Sequence, residues 1–169
     1  MMGRQSTALL LGLALGFASA AMAQSAAPST PALPPTGMLK SGGLFLVNGD
    51  RAVFAVGANG VATFAAKGPA PAMADQNAPV DGLAPGQVAF ALIRGSEGNT
   101  ILLVGNHTAA PLRYQARIVG VREGKVLSAP TSTCPVGAGK SSFENWPQAL
   151  PAVVILSIEP ATPDDTVCR

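Results

Sequence analysis

Charge is what this chain has least of. Only 12% of its 169 residues are Asp, Glu, Lys or Arg, and the formal net charge is +2. So small a balance, with no basic cluster, excludes the electrostatic footprint of a nucleic-acid binder. Histidine occurs once, as His107, and cysteine twice, as Cys134 and Cys168. That set is too small for a usual zinc site, and the cysteines lack the C-x-x-C spacing of a redox pair. No metal and no cofactor is expected. Helix-favouring Glu and Lys are scarce, whereas Gly and Pro number 19 and 15. No helical period of normal length runs through residues 24–169, which argues against a Rossmann or other α/β enzyme.

What is present begins with an export signal. Arg4 precedes an apolar run from Ala8 to Ala21, followed by Ala21-Met22-Ala23 and Gln24. A charged start, a short apolar core and an A-x-A exit predict a secretory signal over residues 1–23, cleaved near Ala23. The run falls short of the roughly 20 residues a membrane-spanning helix needs, and no later run reaches that length. The expected compartment is the periplasm of a bacterium or its exterior. There an even pair of cysteines oxidises, so Cys134 and Cys168 are expected to form one disulfide.

Residues 24–40, rich in Pro, Ala and Ser, read as a disordered, extended leader. From there to residue 169 a single domain is expected, interrupted by a long Pro/Ala/Gly-rich loop at 68–86. LFLV (44–47), RAVFAV (51–56) and GVATFAA (60–66) are short apolar runs separated by Asn48-Gly49 and Gly57-Ala58-Asn59-Gly60. Asn-Gly suits the positive φ of a two-residue hairpin, which predicts a meander. QVAFALIR (87–94), TILLVGN (100–106), PLRYQARIVGV (111–121), VLSAPTSTCPV (126–136) and AVVILSIE (152–159) follow. In the third of these Leu112, Tyr114, Ala116 and Ile118 alternate with Arg113, Gln115 and Arg117, the period of a half-buried strand. About eight short strands with turn chemistry between them predict an all-β fold, an antiparallel β-sandwich of immunoglobulin-like type, with a small β-barrel as the alternative.

Motifs with chemistry are few. Gly137-Ala138-Gly139-Lys140-Ser141-Ser142 ends like a phosphate-binding loop, but Cys134 stands where its first glycine belongs. Pro147 and Pro151 also prevent the helix that such a loop must open, so a plain Gly-rich turn is expected. His107 has no G-x-S-x-G elbow to serve and reads as a polar loop residue. Asn106-His107-Thr108 matches a glycosylation sequon, and Asp164-Asp165 reads as a solvated loop. Arg113 and Arg117 share a strand face about 13 Å apart, with Arg122 and Lys125 beyond, and form a candidate basic stripe. Phe143 and Trp146, the latter the only tryptophan, lie in a Pro-bounded stretch read as a loop beside Cys134. Such aromatics either plug the end of a sandwich or anchor a partner. Phe143, Trp146, Arg113 and Arg117 are therefore the candidate binding residues, with no catalytic set. The expectation is a non-enzymatic exported protein that binds or scaffolds another envelope component, a protein or a polysaccharide, through loops or a strand edge. The alternative is a secreted hydrolase using His107.

Overall fold

The computed structural model describes residues 31–72, 80–162 and 164–169. The expected signal, 1–23, lies outside the described residues. Short apolar runs punctuated by glycines fold as β1 (Gly37–Met38), β2 (Leu44–Val47), β3 (Asp50–Val56), β4 (Ala62–Pro69), β5 (Gln87–Arg94), β6 (Thr100–His107), β7 (Leu112–Arg122), β8 (Lys125–Thr131), β9 (Lys140–Trp146) and β10 (Ala152–Pro160). They form two five-stranded antiparallel sheets, β1-β2-β10-β7-β8 and β4-β3-β5-β6-β9. Neither sheet closes on itself, so the architecture is the sandwich and not the barrel. The order sets β2 beside β10, the last strand of the chain.

The core lies between the sheets. Leu44, Leu46, Val153 and Ile155 from one face meet Phe54, Val88, Phe90, Leu92, Leu102 and Val104 from the other. Edge-to-face rings run along one sheet, with Phe54 5.7 Å from Phe64 and 6.1 Å from Phe90, and cross to the other where Tyr114 lies 5.2 Å from Phe90. Geometry of this kind adds about 0.5–1.5 kcal/mol per pair beyond the area buried.

The expected meander is corrected in its first half. β3 and β4 form a hairpin, but β2 pairs with β10 and β3 with β5. Asn48-Gly49 therefore carries the chain from one sheet to the other. Asn48 N–H donates to Pro151 O at 2.9 Å, and Gly49 N–H donates to Leu92 O at 2.7 Å. Gly49 takes φ 95°, a value that favours glycine. The turn residues give the backbone reversal but do not decide which neighbour the next strand meets.

β5 and β6 are nearly unbroken apolar runs because both of their faces are covered. Ala91, Ile93, Ile101 and Leu103 cluster on the outer face, with Ala70 packed against them. β4 and β5 run parallel on either side of β3. Arg51 of β3 donates to Asp81 O at 3.3 Å. On the opposite sheet the outer face holds Phe45, Val119, Ala152 and Val154, and Leu33 and Leu39 pack onto it. The described part of the leader is thus docked. Leu33 contributes apolar contact there, and the Thr36 hydroxyl accepts from Val47 N–H at 2.8 Å.

Candidate functional site

β9 is where the sequence and the structure differ most. Residues 143–146, read as loop, belong to a regular strand paired with β6 from Asn106↔Lys140 to Thr100↔Trp146. The period of two then separates the aromatics. Trp146 turns inward, is 9% exposed, and donates its indole N–H to Thr131 Oγ1 at 3.0 Å. Phe143 stays outside, 62% exposed, opposite Leu103. The two do not make one aromatic surface: Trp146 plugs the sandwich and Phe143 alone faces solvent.

Between β9 and the facing sheet, polar groups close the side of the sandwich. Glu144 Oε1 accepts from Tyr114 OH at 3.2 Å and from Cys134 N–H at 2.8 Å. The expected disulfide joins Cys134 to Cys168. The last residues are held further by reciprocal backbone bonds between Thr133 and Arg169, at 2.7 and 3.0 Å. Asp165 forms an ion pair with Arg113, both side chains largely shielded. Asp165 is thereby corrected from solvated loop to partner of a strand arginine, because the disulfide brings this tail against β7.

The basic stripe is accordingly tied to other groups. Arg113 has Asp165. Arg117 donates from Nε to Ser128 Oγ at 3.0 Å and from a terminal nitrogen to Ser128 O at 2.9 Å. Both line a polar depression of about 430 Å³ with Gln115, Glu159 and Arg169. Arg122 and Lys125 flank the hairpin tip, where Glu123 and Gly124 take φ 53° and 72°.

At one end of the sandwich the 57–60 turn, Pro85-Gly86, the 108–111 turn and the end of β10 surround a groove of about 810 Å³. Its floor is apolar, from Val56, Leu112 and Ile158, and His107 stands in its wall. His107 Nδ1 lies 2.7 Å from Leu83 O. The adjacent Asn106 is wholly buried. Its Nδ2 lies 3.0–3.1 Å from Ala110 O, Val136 O and Gly137 O, while its Oδ1 accepts from Thr108 N–H and Oγ1. An amide so enclosed leaves no room for a glycan in the folded protein, whatever the sequon suggests. The groove was not legible in the sequence, since its walls come from four separated stretches of small residues.

Four strands end the two sheets: β1, β8, β4 and β9. Exposed edges invite pairing with other chains and are ordinarily blunted. β1 has two residues. β4 is bulged, with its register slipping between Val53 and Phe54, and it carries Lys67 and Pro69. Along β8, the two-residue hairpin makes Arg122 and Lys125 a hydrogen-bonded pair, so alternation turns the backbone groups of Val126, Ser128 and Pro130 outward. Pro130 has no N–H to offer, and Arg117 occupies the Ser128 carbonyl.

β9 has none of these devices. The Gly95 N–H to Asn99 O bond of 2.9 Å fixes the alternation in the β5–β6 hairpin. Thr100, Leu102 and Val104 therefore direct their backbone groups toward Trp146, Glu144 and Ser142. Phe143 and Asn145 consequently present theirs away from β6, where no described strand pairs. Set against known proteins, the chain matches no family model, and no curated protein or solved structure is significantly similar to it.

Proposed function

We propose that this protein is an exported, non-enzymatic β-sandwich that binds another envelope component by strand addition at β9. One observation carries the reading. Of the four sheet edges, only β9 is long, unbulged and free of proline, and among the described residues no side chain bonds the outward backbone of Phe143 or Asn145, the first of which is exposed. In strand addition the main chain supplies affinity and alternate side chains supply selectivity. Phe143 is the apolar anchor for that role. The disulfide and the Glu144 contacts hold β9 in place beside the opposite sheet, so the edge is preformed and little ordering entropy is lost on binding.

A photoreactive phenylalanine analogue at position 143, in the native envelope, tests this. Adducts are expected from 143 and not from exposed Val61 on the opposite side. A folded, exported protein that gives no adduct from 143 sinks the proposal.

The hydrolase reading draws on the position of His107 in the groove wall. Against it, Nδ1 is held by a backbone carbonyl where a catalytic base is usually oriented by a carboxylate. The nearby Thr108 hydroxyl is held by Asn106 and Ala110. Loss of a measured hydrolytic activity in His107→Ala would restore that reading.

A further inference from the structure

We infer that the groove at the 57–60 end of the sandwich is a binding site for an uncharged molecule with an apolar body and one hydroxyl group, which donates to His107 Nε2. The inference stands independently of β9.

The two ends of the sandwich are built differently. One is closed by large side chains, Trp146 and Leu150, both buried. At the other the sequence places Gly57, Ala58, Gly60, Gly86, Ala109 and Ala110, which have too little side chain to fill the space between the sheets. The groove of about 810 Å³ that results falls within the roughly 300–1,000 Å³ of small-molecule sites. Its walls are tied to one another. Val56 N–H donates to Gly86 O and Gly86 N–H to His107 O, both at 2.8 Å, and Ala161 N–H donates to Pro111 O at 2.9 Å. Gly60 sits so close to Pro160 of the other sheet that a Cβ there would come within 2.9 Å of the proline ring. The groove is therefore preformed, and a ligand entering it loses little to ordering of the protein.

Chemistry narrows the occupant. Val56, Leu112 and Ile158 offer apolar contact. Glu159 is the one charged residue among those lining the groove. It pairs with Arg113 while the preceding Ile158 packs into the core, so alternation sends the Glu159 side chain to the outer face. A charged ligand would give up its hydration with no opposite charge to meet. Polar recognition falls to His107. The Leu83 carbonyl can only accept, so Nδ1 carries the hydrogen of that 2.7 Å bond, and Nε2 of the neutral ring is an acceptor. Among the described residues nothing donates to Nε2. The Thr108 hydroxyl next in the chain is already spent on Asn106 and Ala110. An acceptor of fixed tautomer beside an apolar floor suits a hydroxyl and not a carboxylate.

Amide proton–nitrogen correlation spectra of the mature, oxidised protein, titrated at neutral pH with 2-naphthol, 2-methoxynaphthalene and 2-naphthoate, test this. The expected result is saturable movement of the Gly57, Gly60, Gly86 and Ala109 resonances by 2-naphthol. The methyl ether, which cannot donate, should bind about fivefold more weakly or worse, and the carboxylate should leave these resonances in place. His107→Phe keeps a ring in the wall and removes the acceptor, so it should bind the naphthol and its ether alike, with the rest of its spectrum showing that it folds. No saturation by millimolar 2-naphthol, or movement centred outside the groove, overturns the inference. So does an ether that matches the naphthol in the wild type, or a preference for the naphthol that survives in His107→Phe.

Discussion

At the scale of single residues, Tyr114 offers the cleanest readout, because it is the only tyrosine. It lies 1% exposed in the core, with its hydroxyl on Glu144. Burial first, then the negative charge of Glu144 and the hydrogen bond to it, push the phenol far above its ordinary value of 10.0. A native state that holds this proton while the unfolded chain releases it loses stability as pH rises above about 10, and gains nothing from Tyr114 below that point. Tyrosinate absorbance is therefore expected to stay flat through the ordinary titration range and to rise only together with unfolding, followed by far-ultraviolet circular dichroism. Ionisation near pH 10 in a protein still folded would contradict the burial of this hydroxyl. Asn106 teaches a related lesson at this scale. As a sequon it suggested an exposed acceptor, whereas its side chain ties the 108–111 turn to residues 136–137. Such a role depends on the distant carbonyls of Val136 and Gly137 as well as the nearby one of Ala110, which no local motif encodes.

At the scale of elements, β9 separates what a pattern can show from what packing decides. The alternation of Leu112, Tyr114, Ala116 and Ile118 was legible because apolar and polar residues take turns, and these four do face the core. In KSSFENW the same period is hidden: the inward positions hold Ser142, Glu144 and Trp146, and a carboxylate in that set does not read as a core face. Glu144 is tolerated there only because Tyr114 and the Cys134 backbone donate to it, partners supplied by other elements. The separated roles of the two aromatics give a paired expectation. Trp146→Ala removes a packed ring and its bond to Thr131 and should cost about 3–5 kcal/mol. Phe143→Ala, at an exposed position, should stay within about 0.5 kcal/mol in dilute protein. Urea unfolding of both variants checks this, and similar losses would mean that the ring of Phe143 is also structural. The Asn48-Gly49 turn marks the other limit of pattern reading. A hairpin turn and a sheet-to-sheet turn use the same residues, and only the neighbours across space distinguish them.

At the scale of the molecule, the arrangement of edges governs how the protein meets others of its kind. β8 is exposed along most of its length and carries Val126 and Leu127, so its protection rests on Pro130 and on Arg117 over the Ser128 carbonyl. Arg117→Ala combined with Pro130→Val should leave a folded protein of near-normal melting temperature that aggregates on standing, measured by light scattering over time. Unchanged solubility would show that the edge needs no such protection. Arg117, first read as part of a candidate basic stripe, is held by Ser128 at this edge. The position of β10 has a consequence in time as well as in space. It lies between β2 and β7, and its partners on β2 precede it by more than a hundred positions. While the chain is being made, β3, β4, β5 and β6 can find one another early, but β2 and β7 remain without their common neighbour until residues 152–160 emerge. Half of the sandwich therefore waits for the final segment, and contacts so distant along the chain form slowly. Until then the apolar flanks of β2 and β7 stand without the strand that separates them, so the chain exposes half of its core for as long as its last segment is missing.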